Sequence, residues 1–159
     1  MADAVQVSVV SPMSDLFPKP TPAGWVGSKA GVHGDLVTID SNGKIDQAVA
    51  AGNPVGATTK WAVLADDVAS TVAAASDDAL AVRYQPLTDQ DRIEMQLVNN
   101  SDTVVTAAVT HVGDMVGFYR CSDGSYAADV NTATHAQVVD VDTDRNTVLL
   151  KPVASLVLG

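Results

Sequence analysis

At 159 residues the chain suits one domain, large enough to bury about 70% of the surface its unfolded form would expose. Nineteen acidic side chains against nine basic ones give a net charge of −10, which disfavours nucleic acid and anionic membranes as partners, since both need a basic face. A lone cysteine, Cys121, rules out an internal disulfide framework, and no apolar run approaches the ~18 residues of a transmembrane helix.

Composition also points to a fold class. Aromatic residues make up only 4% of the chain, so the core must be built of Val, Ala and other small side chains. Among the acidic residues Glu94 alone is Glu; the rest are Asp. Glu suits helix interiors, whereas the short Asp side chain competes for backbone hydrogen bonds and favours caps and turns. With the Val and Thr content, this predicts a mainly β protein rich in tight turns. Met1-Ala2-Asp3 lacks the basic start of a cleaved export signal, so synthesis in a cytoplasm is expected.

Residues 1–25 are expected as an extended arm ahead of a single β domain at 26–159. A short Val5, Val7, Val9 alternation precedes Pro12, Pro18, Pro20 and Pro22, which forbid helix and cannot donate to a central sheet. Phe17, Trp25 and Val26 are costly to leave in water, so the arm reads as a docking element, with a plain terminal tail as the alternative.

A hairpin follows at Gly34–Ala48, where Asn42-Gly43 stands between apolar alternations. A two-residue loop would set Ile39 against Asp46. A loop of Ser41-Asn42-Gly43 sets Ile39 against Ile45 and Asp40 against Lys44. Matched pairs contribute roughly 0.2–1 kcal/mol each, which favours the second register. Ala50 to Pro54 reads as a turn. Residues 58–82 read as short strands turning at Asp66-Asp67 and Asp77-Asp78, although Trp61, Leu64, Val68 and Val72 also fit a helix near 62–75.

Ala81 to Pro86 is a strand closed by its proline, and Ile93, Met95 and Leu97 alternate with Glu94 and Gln96 as a half-buried strand. Asn99 to Asp102 turns the chain and Thr103 to Thr110 returns it. A second hairpin at 113–128 repeats the first. Both open on Gly-Asp-(Leu/Met)-Val and turn on Ser-(Asn/Asp)-Gly, the second with a first strand two residues longer, a change that keeps every side chain on its face. An internal duplication and two independent hairpins both account for this. Val138 to Val141 and Thr147 to Leu150 form a last hairpin, and Leu156 to Leu158 an apolar tail. Some ten short strands with regular turns imply an antiparallel β-sandwich or barrel-like domain.

Chemistry-bearing patterns are few. Asp140, Asp142 and Asp144 match the opening of a calcium loop, but Arg145 stands where Gly is required and Lys151 where a bidentate Glu is required. His33 and His111 precede the two Gly-Asp pairs and His135 stands alone, with no metal-binding spacing. Cys121 reads as a buried small hydrophobe; a Cys121–His dyad has no local signature. Nucleophile elbows and phosphate loops are absent from the sequence. Neither an enzyme nor a cofactor is expected.

Gly34-Asp35-Leu36-Val37-Thr38-Ile39-Asp40, Gly43-Lys44-Ile45, Pro54-Val55-Gly56-Ala57 and Ala81-Val82-Arg83-Tyr84 together resemble the head decoration, or capsid cement, proteins of tailed bacteriophages. The resemblance covers residues 30–85. It implies a small, mostly β homotrimer on the outer surface of the virion, holding neighbouring major capsid proteins together through an N-terminal arm. Phe17, Pro18, Pro20, Pro22, Trp25 and Val26 stand where such an arm would touch the capsid. Another virion β module, from a tail, fibre or adhesin, would share this composition.

Overall fold

The computed structural model describes residues 30–39, 45–47, 51–54, 60–65, 67 and 81–153, together with two short strands, Ser8–Val9 and Ala23–Gly24. The fold is mainly β. Among the described residues the one helical element is a 3-10 turn, Val109–His111, and no helix is long and apolar enough to cross a membrane.

The strands in chain order are β1 (Ser8–Val9), β2 (Ala23–Gly24), β3 (Leu36–Ile39), β4 (Ile45–Gln47), β5 (Asn53–Pro54), β6 (Lys60–Leu64), β7 (Ala81–Val82), β8 (Tyr84–Pro86), β9 (Ile93–Met95), β10 (Leu97–Val98), β11 (Val104–Val105), β12 (Met115–Arg120), β13 (Tyr126–Asp129), β14 (Ala136–Asp142) and β15 (Thr147–Pro152). One sheet runs β4-β3-β6-β8. A larger one runs β1-β9-β15-β14-β12-β13-β10-β11, with β5 beside β12, and β2 pairs with β7. All described pairings are antiparallel except β10 with β13, where Leu97 lies opposite Ala128.

The first hairpin takes the register expected of the three-residue loop, with Ile39 opposite Ile45. Lys60–Leu64 is a strand, not the start of a helix. Trp61 and Leu64 share a helical spacing but face opposite sides of the sheet: Trp61 joins Leu36 and Val63 in one core cluster, Leu64 joins Val37, Ile45, Ala62 and Val82 in another. The turns expected around Asp66 and Asp77-Asp78 and the tail 156–158 lie outside the described residues. Two parts of the expected arm are sheet strands: Ser8 pairs with Glu94 and Ala23 with Val82.

The two hairpins are parts of one larger repeat. The order β8-β6-β3-β4 recurs as β15-β14-β12-β13. Pro86, Gln85 and Tyr84 face Ala62, Val63 and Leu64, as Pro152, Lys151 and Leu150 face Ala136, Gln137 and Val138. Leu36 and Val37 then face Val63 and Ala62, as Met115 and Val116 face Gln137 and Ala136. At the hairpin turns, Ile39 opposite Ile45 corresponds to Arg120 opposite Tyr126. Even single bonds match: Leu87 N donates to Trp61 O (3.2 Å), and Val153 N to His135 O (3.0 Å). On the outer flank, β2 lies against β7 as β9 lies against β15, with Ala23 opposite Val82 and Met95 opposite Val148. Chance recurrence of a short turn motif would not carry the register across five strands.

The copies are fused through a shared core. Leu36, Trp61 and Val63 of the first pack with Val116, Phe118, Ala136, Val138 and Leu150 of the second. Trp61 and His135, at equivalent positions, meet with ring centroids 5.6 Å apart; Phe118 stacks on His135 at 5.1 Å and meets Trp61 edge-on at 5.0 Å. The longer β12 has a structural purpose. Its far end, Tyr119 and Arg120, pairs with Pro54 and Asn53 of the first copy, and Arg120 Nη1 donates to Gln47 Oε1 at 3.0 Å.

Candidate interaction surface

Each copy opens on a tight turn. In the first, Asp35 N donates to Val32 O at 2.9 Å, and Gly34 adopts φ 95°. In the second, Asp114 N donates to His111 O at 3.0 Å, and Gly113 adopts φ 97°. A positive φ at the third turn position is the reason for glycine there. Each turn is then fastened to the neighbouring strand by the same two bonds. Gly34 N donates to Leu64 O and Leu64 N to Asp35 O, both at 2.8 Å; Gly113 N donates to Val138 O at 2.8 Å and Val138 N to Asp114 O at 2.9 Å.

The turns carry the same side chains in exchanged order, Val32-His33 and His111-Val112. Among the described residues, the exposed large hydrophobics are Val32 (56%), Val112 (47%) and Val109 (73%), the last on the 3-10 turn leading to His111. Carboxylates and an imidazole hold the amides: Val32 N donates to Asp35 Oδ2 (2.9 Å), His33 N to Asp67 Oδ1 (2.8 Å) and Ala108 N to His111 Nδ1 (3.1 Å). Burial pushes the Asp35 carboxyl above the usual range, and Asp67 adds to it; the Val32 amide and Arg120 oppose the rise. Beside the second turn lies a depression of about 310 Å³ lined by Leu97, His111, Asp114, Met115 and Val130.

The three histidines do not converge. His33 and His111 sit on the separate turns, whereas His135 is fully buried and accepts the Phe118 N–H at Nδ1, 2.7 Å away. Among the described residues no group of three His, Cys, Asp or Glu side chains is placed to hold a metal ion. In the calcium-like run, Asp142 Oδ1 caps the turn by accepting from Asp144 N and Arg145 N, both at 3.0 Å, and Arg145 pairs with Glu94 at 2.9 Å. Cys121 is buried, and burial pushes its thiol up to about 11. Ser125 opposes that rise while Asp102 and Asp123 add to it, with no imidazole among these groups. A thiol so held stays protonated and is a poor nucleophile.

Phe17, Pro18, Pro20, Pro22, Trp25 and Val26, expected as capsid contacts, lie outside the described residues. The apolar turns were missed because valines flanking a Gly-Asp turn look like ordinary strand entrances; the swapped Val-His pairs were the available signal. Searches against family models, curated proteins and solved structures give no match.

Proposed function

We propose that this chain is a structural protein of a tailed-bacteriophage virion, seated on the outer surface of the capsid and bridging neighbouring major capsid proteins. The observation that carries the reading is the hairpin β3–β4. Its residues bear the resemblance to capsid cement proteins, and its strands pair in the register those residues favour, Ile39 against Ile45. Such a protein stabilises a shell by adding buried contact area across its joints, a task that asks for a rigid body and no catalytic group or cofactor. In this reading the chain is made in the host cytoplasm, assembles as a homotrimer with a closed symmetric interface, and brings Phe17, Pro18, Pro20, Pro22, Trp25 and Val26 to the shell.

The test is to mix the purified protein with undecorated, expanded heads of the virus that encodes it and to pellet the particles. Co-sedimentation at a near-stoichiometric ratio is expected; protein left in the supernatant overturns the reading. Immunogold signal confined to virion tails would assign the chain to a tail, fibre or adhesion module instead.

A further inference from the structure

We infer that His135 is an acid-sensitive latch between the two copies: neutral, it closes the joint with Trp61, and a proton on its ring releases that joint. The inference stands apart from the capsid reading. The ring is fully buried, stacked on Phe118 with centroids 5.1 Å apart and 8° between planes, and edge-on to Trp61 at 5.6 Å. Its Nδ1 accepts the Phe118 N–H at 2.7 Å, which sets the ring's own proton on Nε2. That bond exists only while the imidazole is neutral. The main chain holds the same residue from two sides: His135 N donates to Val116 O at 2.9 Å, and Val153 N donates to His135 O at 3.0 Å.

A proton on Nδ1 turns the acceptor into a donor and sets two N–H groups against each other. Thr134 Oγ1, 3.3 Å from Nδ1, is the acceptor at hand for the new N–H, so the ring has a second position to move to. Reaching it strands the Phe118 N–H in the core. It also shifts the ring against Phe118 and Trp61, and a close-packed interior does not absorb such a shift without opening.

The charged groups of the surrounding strands are engaged elsewhere. Among the described residues of the shared cluster the titratable one is Tyr126, whose ring carries Arg120 at 5.8 Å. Arg120 on β12 donates to Gln47, Lys151 on β15 lines the outer depression with Met115 and Gln137, and Asp114, Asp140 and Asp142 are exposed. On β6, Lys60 adjoins Trp61 in sequence. Asp129 on β13 is buried but accepts from Asn131 N and Thr132 Oγ1; it pairs with Gly117 and so lies on the other face from Phe118. The described surroundings of the ring are apolar, and an apolar core resists a charge. In the unfolded chain an imidazole takes up its proton near pH ~6.5, whereas the folded site opposes it. Stability is therefore complete above about pH 6.5 and is lost below it, by up to about tenfold in the folding equilibrium per pH unit.

The test compares wild type with His135→Asn, whose side-chain oxygen can accept from Phe118 N and does not titrate. Denaturant unfolding is measured in steps from about pH 8 to about pH 5. Relative to the variant, the wild-type folding constant is expected to fall below about pH 6.5, by as much as about tenfold per unit. Asp35 is present in both chains and cancels in the comparison. Parallel slopes overturn the inference. In wild-type protein alone, titrated downward under NMR until the His135 ring charges, that ring, the Phe118 amide and the Trp61 indole are expected to change together. A ring that takes up its proton while Phe118 and Trp61 stay as they were also overturns the inference, and this measurement decides should the variant fold poorly.

Discussion

Gly117 shows how closely the second copy is packed. A Cβ placed on it would stand 2.6 Å from Thr132 Cβ and 2.7 Å from its Cγ2. Gly117→Ala should therefore destabilise the protein by roughly 1–3 kcal/mol, and Thr132→Gly in the same chain should recover much of that loss. Denaturant titration of the singles and the double gives the coupling directly. The pKa of Asp35 is raised in the folded state, so its favourable contribution is complete below its ordinary value of 3.8 and is lost as pH rises through the raised value. At neutral pH the ionised carboxylate is a net cost. Asp35→Asn, which can still accept from Val32 N, should melt higher than wild type at pH 7, with the advantage closing as the medium is acidified. Thermal scans across that range check the sign. Cys121 should resist a thiol reagent in the native protein and react at once in denaturant; fast native labelling would show that its burial is breached.

At the scale of elements, what the sequence made legible followed simple side-chain alternation. Ile39 and Ile45 declared their pairing because the alternative set Ile39 against Asp46. The span 58–82 read as short strands with a helix as the alternative, and Lys60–Leu64 is a strand; the helix stayed open because a strand buried on both faces has no alternation to read, so Trp61 and Leu64 mimicked one helical face. In β14 the register shifts between Val138 and Asp140; this irregularity lets Val138 and Val141, three residues apart, both join the main core. The parallel pairing of β10 with β13 depends on contacts far along the chain and leaves no local trace. Of the interaction surface, the glycines were readable and the exposure of their neighbours was not. Because β1 and β2 are sheet strands, deleting residues 1–24 should cost roughly 1–3 kcal/mol, lowering the melting temperature by about 2–10 °C. An unchanged midpoint in calorimetry would mean that neither pairing stabilises the body.

For the whole molecule, the duplicated architecture raises the question of whether two copies make two domains. The shared cluster of Trp61, Phe118 and His135 argues that they do not. Unfolding should be a single transition whose calorimetric and van't Hoff enthalpies agree. Trp61→Ala, which empties a fully buried position, should lower that one transition by about 3–5 kcal/mol rather than split it. Two resolved transitions would show that the copies are only loosely joined.

The meeting of Trp61 with His135 also sets a timetable for synthesis. The first copy leaves the ribosome with Leu36, Trp61 and Val63 ready to pack, yet their neighbours in the second copy arrive roughly seventy residues later, about 4–15 s at ordinary elongation rates. During that interval the nascent chain carries a bare apolar sheet face, so slowing translation across the second half should raise the share of chains lost to aggregation.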